Sequence, residues 1–322
     1  MEKNQTEKNR MQRSDAEEEA ADNAAETARS EERSSVQNSG KGGKKEKGKD
    51  RRADAVPGGV RPVAVVVGAS SGIGAEVASM LVLKGYCVVN VSRRVSENER
   101  VKNILADIAQ GEELERALQT VGAEHGSISL LVYSAGCSLA APLETAGETD
   151  IRYLFEVNYF GAVRAVRSVL PYMKKRGGRI VLVGSLAGTF PIPFDGFYSS
   201  SKAALNLLAK SARTELRRYG IALSVAELGG TSTSFTFKRK IYSDEENGEY
   251  AKSVHKAVAA LGNLEQGGTD PRAVAESIVA QTVKASPAIT FTAGWKNKVY
   301  RIMERLLPEK WTEYWNNKKY NQ

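Results

Sequence analysis

The stretch that decides the fold is VAVVVGASSGIGAEVASMLVLKG, Val63 to Gly85. A short apolar run leads into a glycine-rich turn, and apolar side chains then recur at helical spacing in Val77, Met80, Leu81 and Leu83. Strand, glycines and helix in that order form the context in which a backbone holds a dinucleotide. The glycines make a tight turn, let the backbone approach the pyrophosphate and allow close packing of helix on strand. Gly68, Gly72 and Gly74 have the spacing G-x-x-x-G-x-G. A merely flexible glycine loop requires neither the strand before it nor the helix after it. Ser70, Ser71 and Ile73 complete the turn that a bound cofactor would touch.

Outward from this turn, apolar runs alternate with amphipathic ones. The run Tyr86 to Val91 ends in Ser92, Arg93 and Arg94, where the adenosine ribose lies in such a fold. An acidic residue there would accept from the ribose hydroxyls. Guanidinium forks instead match a phosphate, so NADP(H) is expected over NAD(H), with Ser92 as an added hydroxyl. A third, short strand ends at Asp107 beside Ile108; the Asp either meets the adenine or caps the helix that follows through Leu114, Ala117, Leu118 and Val121. A fourth strand, Ile128 to Tyr133, runs into Ser134, Ala135 and Gly136, small residues against which a cofactor can lie. A helix then carries Leu154, Phe155, Val157 and Asn158 past Gly161 to Pro171. A fifth strand delivers Ser185, and a sixth, IALSVAEL, leads to Gly229, Thr231 and Thr233. This alternation predicts an α/β doubly wound parallel sheet, Rossmann-like, with ligands beyond the carboxyl ends of its strands.

Tyr198 and Lys202 stand four residues apart in YSSSK, so on a helix both project from one face. A nearby fixed positive charge favours the phenolate and draws a phenol toward the working pH range. Ser185, thirteen residues upstream of Tyr198, is placed to hold a substrate oxygen beside that phenol. Tyr and Lys at this spacing are common on helices; the glycine turn and the strand order give the pair its meaning. Asn158 is a polar residue in an apolar stripe, a buried hydrogen-bonding group unless it faces a site.

The 322 residues carry a formal charge of +8. Up to about residue 60 there is almost no apolar periodicity. An acidic, Ala-rich part precedes the basic run Lys41 to Arg52, and residues 1–60 are expected to be a disordered tail because they bury too little apolar surface. The basic run suits a solvated linker, an import signal or an anionic surface. No nucleic-acid partner is expected for the folded part, residues 61–294, which lacks recognition motifs. The two cysteines, Cys87 and Cys137, form no disulfide framework, and His125 and His255 stand too far apart for a zinc site, so no metal is expected. With no apolar run of about 20 residues and no signal-peptide core, the expected location is cytoplasmic.

Residues 232–268 loosen into a polar, partly helical insertion, expected to be a lid; its Phe235, Phe237 and Tyr242 suit either an apolar ligand or a core. Asp270 and Pro271 open a helix, and AITFTAG closes the sheet. The extension 295–322 is amphipathic and basic, with Val299, Ile302, Met303, Leu306 and Leu307 on one side. Packing on its own domain or on a partner subunit is the expectation. The alternative is peripheral contact with a bilayer, Trp311 and Trp315 at headgroup level.

From Pro62 to Gly294 the sequence resembles the short-chain dehydrogenase/reductase family, through GASSGIG at 68–74, YSAG at 133–136, VNYFG with Asn158, GS at 184–185 and YSSSK at 198–202. The resemblance implies a catalytic tetrad of Asn158, Ser185, Tyr198 and Lys202, with Lys202 also binding the nicotinamide ribose. It implies an NADP(H)-dependent carbonyl reductase or secondary-alcohol dehydrogenase, acting on a small molecule and working as a homo-oligomer. Two departures stand out. Ser134 replaces the Asn of the usual NNAG, and Leu228 replaces the proline of the usual PG, loosening the segment that guides the nicotinamide amide. The tail around RLLPEKW is similar to that of members that reduce lipid-like or hydroxysteroid ketones, so the expected substrate is apolar. A catalytically weak, cofactor-binding regulator on the same fold is the alternative.

Overall fold

The computed structural model describes residues 61–306 together with Pro308, Lys310, Trp311, Glu313, Tyr314 and Lys318. The expected disordered tail 1–60, with its basic run, lies outside the described residues, as do Leu307 and Trp315.

Alternating burial along one strand shows how the layers form. In β1 (Val63–Val67), Val63, Val65 and Val67 enter one core while Ala64 and Val66 enter another, because successive strand residues point to opposite faces. Both faces are covered, so the strand reads as unbroken apolar sequence. The chain continues through α1 (Gly72–Leu83), β2 (Cys87–Ser92), β3 (Lys102–Leu105), α2 (Gly111–His125) and β4 (Leu130–Tyr133). A short β5 (Leu139–Ala140), α3 (Glu148–Phe155), a π-helical turn (Glu156–Phe160) and α4 (Gly161–Met173) lead to β6 (Gly178–Ser185). Then come α5 (Gly196–Leu216) and β7 (Ile221–Leu228). The insertion holds β8 (Lys240–Ile241), α6 (Asp244–Asn247) and α7 (Ala251–Gln266), and α8 (Pro271–Thr282), β9 (Thr290–Phe291) and α9 (Trp295–Leu306) follow.

Seven strands form one parallel sheet in the order β3-β2-β1-β4-β6-β7-β9. The strand order reverses between β1 and β4, and the crevice at their carboxyl ends is where such sheets bind ligands. Helices α2 and α4 supply Leu114, Leu118, Ala165 and Val169 to one face; α1 and α8 supply Val77, Leu81, Val274 and Ile278 to the other. Asp270 caps α8 by accepting from the amides of Arg272 and Ala273, with Pro271 in the first turn, as the sequence predicts. Asp107 does not cap α2, whose N-cap is Gln110; its carboxylate accepts from Ala109 N at 2.9 Å instead and shapes the turn before the helix.

Two features were not legible beforehand. The lid is pinned by a second, two-stranded parallel sheet, β5 with β8. Of the placements expected for α9, packing of its apolar side on its own domain is not what forms: that side is exposed at Trp295, Val299, Ile302, Met303 and Leu306. Among the described residues, no helix is long and apolar enough to cross a membrane.

Candidate active site

The glycine turn closes upon itself and on its neighbours. Gly68 has φ +89°, and a Cβ there would lie 2.9 Å from the Ala135 amide nitrogen; one on Gly74 would lie 2.1 Å from the Gly68 carbonyl oxygen. Gly72, at φ +56°, faces the Thr233 methyl across the crevice. Ser71 is the N-cap of α1 but gives it no side-chain hydrogen bond, so the first-turn amides are left to a ligand, the natural setting for an anion. Ser70 is half-buried and Ile73 packs against the core beneath.

Sequence reasoning missed the residue that holds this turn. Buried Asn90, in the middle of β2, accepts from Ala69 N at 3.0 Å and donates to the Arg94 carbonyl at 3.0 Å and to Asn103 Oδ1 at 2.9 Å. One amide side chain thus couples the glycine turn to the loop that carries the two arginines. An Asn inside an apolar strand run was the available signal. Ser92 donates to the Arg94 carbonyl at 2.7 Å and shapes the same loop, while Arg93 and Arg94 are exposed at the carboxyl end of β2. Ile108 is buried in the core below, and Ser134 donates its amide to the Val67 carbonyl at 2.9 Å, continuing the sheet beside Ala135.

On the other side of the crevice the four residues expected to form a tetrad converge. Asn158 is fully buried inside the π-turn. There Gly161 N–H bonds back to the Glu156 carbonyl, which releases the Val157 carbonyl to accept from Tyr133 Oη at 2.6 Å. Asn158 pairs with both the amide and the carbonyl of Cys137, each at 2.9 Å, and donates to Ser201 Oγ at 3.1 Å. Ser201 in turn donates to the Tyr198 carbonyl at 2.7 Å. Asn158 therefore fixes the loop after β4 against the helix that carries Tyr198. Gly136 lies against the same pair: a Cβ there would come within 3.2 Å of Asn158 Oδ1 and 3.5 Å of Lys202 Nζ.

Ser185, at the end of β6, stands beside the Tyr198 phenol, and its hydroxyl accepts from Ala187 N at 3.1 Å. Lys202 is 3 % exposed; its Nζ donates to the Val183 carbonyl at 3.0 Å and lies 5.7 Å from the Tyr198 ring centroid. The electrostatics differ from the sequence expectation. Loss of solvation on burial pushes the phenol above its ordinary range, Asp195 adds to this, and the Ser185 hydroxyl opposes it. Lys202 is not among the leading influences on the resting phenol. Its own ammonium is destabilised by burial, and its pKa falls to about 8. The phenol is thus held protonated, ready to donate.

A buried polar chain connects this site to the lid. Ser138 donates to Asp195 Oδ1 at 3.1 Å, Arg239 Nε donates to Ser138 Oγ at 3.2 Å, and Arg239 Nη2 pairs with Glu265 at 2.6 Å. Burial is the main cause that lifts the Asp195 carboxyl to about 7, with Arg239 pulling it down. Asp195 immediately precedes α5, and Phe194 before it takes a left-handed backbone, φ +62°. These four residues span 128 positions, from 138 to 265, and only folding brings them together. The lid aromatics divide three ways. Phe235 stacks at a tilt 6.0 Å from the Tyr198 ring. Tyr242 is core, its hydroxyl accepting from Gly147 N at 2.7 Å and donating to Asp150. Phe237 is surface. The loop after β7 is closely packed: a Cβ on Gly229 would strike Asn297 of α9, and Thr231 donates to the Gly229 carbonyl at 3.1 Å.

Comparison with known proteins bears on this arrangement. A family model described as short chain dehydrogenase matches residues 62–243. A 3-ketodihydrosphingosine reductase of Bacteroides thetaiotaomicron is 30% identical over 235 residues, 72% of this chain and 87% of that protein. An NADPH-dependent 1-acyldihydroxyacetone phosphate reductase of Saccharomyces cerevisiae is 33% identical over 192 residues, 56% of this chain and 65% of that one. The crystal structure of a short-chain dehydrogenase from Streptomyces avermitilis superposes with a TM-score of 0.66 at 28% identity, covering 79% of this chain and 97% of that one. Sequence pattern, sheet order and these likenesses agree, and the chain belongs to the short-chain dehydrogenase/reductase family of oxidoreductases.

Proposed function

We propose that the protein is an NADP(H)-dependent reductase that interconverts an apolar, lipid- or steroid-like ketone with its secondary alcohol. The observation that carries this reading is the meeting of Ser185, Tyr198 and Lys202 beside the glycine cradle, at the carboxyl end of the sheet. A cradle in which a Cβ at Gly68 or Gly74 would meet backbone fits a pyrophosphate seated on the amides of α1. When bound, a nicotinamide supplies or accepts hydride at the carbonyl carbon.

In the reducing direction the Tyr198 hydroxyl gives its proton to the substrate oxygen, where the C=O π pair is taken up as the new O–H bond and a phenolate is left on Tyr198. Ser185 orients that oxygen through its hydroxyl. Lys202 stabilises the phenolate left behind, and the Asn158 link to the loop after β4 keeps the lysine and Tyr198 in register. Phe235 provides an apolar wall next to the phenol, which suits a substrate with a hydrocarbon body. Two of the relatives are named for lipid ketones, and one of these for NADPH, which supports the substrate class and the cofactor.

Oxidation of NADPH and NADH by the purified protein, followed across acyl-lipid, steroid, retinoid and quinone carbonyls, tests the reading. NADPH should be preferred, and Arg93→Ala with Arg94→Ala should raise its KM by roughly 10- to 100-fold while leaving NADH little changed, the loss of charge-assisted phosphate bonds. An unaltered preference in that variant would remove the arginines from cofactor choice.

A further inference from the structure

Helix α9 is mounted inside out for a globular protein. A surface helix buries its apolar stripe and exposes its polar one. Here the positions turned inward are Asn297 and Arg301, one turn apart and the helix's two partly buried residues among those whose burial is described. Asn297 donates to the Ala293 carbonyl at 2.9 Å and to Thr269 Oγ1 at 3.3 Å, and the lack of a side chain on Gly229 makes room for it. Arg301 reaches the carboxylate of Glu227, itself 2 % exposed, at 2.8 Å, and hydrogen-bonds Thr290. This polar anchor sets the rotation of the helix. At 3.6 residues per turn it forces the apolar residues to the far side.

That far side is Trp295, Val299, Ile302, Met303 and Leu306, with Leu306 77 %, Trp295 72 % and Ile302 59 % exposed. Lys296 and Lys298 flank the stripe on its two sides, both exposed. Beside α9 a cleft of about 680 Å³ opens between α8, β9 and the helix; Lys284, Lys298 and Arg301 line it together with Ile302, and among the described side chains no acidic one does. From residue 295 onward the sequence carries seven lysines and arginines against three glutamates. All three tryptophans of the chain, Trp295, Trp311 and Trp315, fall in this segment, and Trp311 is exposed as well. An exposed apolar stripe bordered by lysines, with tryptophans and excess positive charge, is complementary to one kind of surface: apolar below and anionic at its rim.

We propose that α9 is a docking helix for an anionic lipid bilayer, lying in the interface with Trp295, Ile302 and Leu306 inserted and Lys296, Lys298 and Lys284 against lipid phosphates. The Asn297 and Arg301 anchor holds the domain to the helix so that the enzyme stays on the surface while bound. The inference stands apart from the reaction proposed above, and its test reads no activity.

Because every tryptophan lies in this segment, intrinsic emission reports on it without a label. Full-length protein is mixed with vesicles of phosphatidylcholine containing phosphatidylserine, and with phosphatidylcholine alone. The expected result is a blue shift and co-sedimentation with the anionic vesicles that is lost in high salt. Lys296→Glu with Lys298→Glu should weaken partitioning at least roughly 25-fold, each charge near the surface counting for about fivefold. Ile302→Asp with Leu306→Asp, at exposed positions where folding is not at risk, should abolish the shift, with circular dichroism unchanged. Equal binding to both vesicle types overturns the anionic assignment. No shift with either type overturns the docking helix. A shift that instead follows protein concentration without lipid, together with a doubled mass in sedimentation, assigns the face to a second copy of the chain and overturns the proposal.

Discussion

The floor of the crevice and the lid above it are held by different forces. The floor is backbone: parallel strands in register, glycines in contact with neighbouring main chain, and buried amides at Asn90 and Asn158 that bond to main-chain groups on adjoining elements. The lid has far less backbone pairing: a two-residue strand pair, the core contact of Tyr242 and the side-chain chain Asp195–Ser138–Arg239–Glu265. The difference teaches where the molecule can move. Backbone ladders over a packed core open only with global unfolding, whereas an element held by a few polar contacts opens locally.

Three substitutions test that contrast, the most severe lying in the floor. Tyr198→Phe removes the proposed proton donor without disturbing the cradle, so kcat should fall by roughly 10²- to 10⁴-fold, the usual worth of a positioned general acid, with the NADPH dissociation constant unchanged. Stopped-flow turnover beside cofactor titration by fluorescence checks this, and persistent turnover would remove Tyr198 as the acid. Arg239→Met comes next and acts on the lid. It leaves the partly buried Glu265 carboxylate unpaired and removes the positive charge that favours ionised, buried Asp195, and should cost up to about 3 kcal/mol in denaturant unfolding. The KM for the carbonyl should rise while cofactor affinity holds; equal loss of both would mean that floor and lid form one cooperative unit.

The smallest effect separates the two regions by pH. Folding raises the Asp195 pKa from the ordinary carboxylate value to about 7, so between those values the folded state binds more protons than the unfolded one. Its contribution is present in full at the acid end and is lost as pH rises toward about 7. Asp195→Asn should flatten that decline in a series of melting temperatures and leave Tm at pH 8 no lower than in the parent. In the floor, Lys202 loses its charge above about pH 8, so kcat/KM should fall there in parent and variant alike. A basic limb that moved with Asp195→Asn would show that the lid chain also governs the chemistry.

The strand and helix order was legible because both faces of the sheet are covered, so strands read as apolar runs and helices as 3.6-residue patterns between them. Ser185, Tyr198 and Lys202 were legible for a related reason: a strand end and a single helix turn fix their offsets locally. Asp195, Ser138, Arg239 and Glu265 were not, since each is an ordinary polar residue until chain segments a hundred residues apart meet in the dark of the core. The role of Asn158 needed the π-turn, whose hydrogen bonding no spacing rule anticipates.

Helix α9 marks the boundary most clearly. Its pattern of apolar and basic residues is written in the sequence, and from that alone the helix and its two faces follow. Which face turns inward is a different matter, because periodicity is symmetric with respect to that choice. A buried carboxylate at Glu227 and a missing side chain at Gly229, both on the far side of the domain boundary drawn from sequence, give Asn297 and Arg301 their partners. An ion pair to a buried acid and a fitted amide outweigh the packing that the apolar stripe would otherwise seek, and only the assembled sheet supplies them.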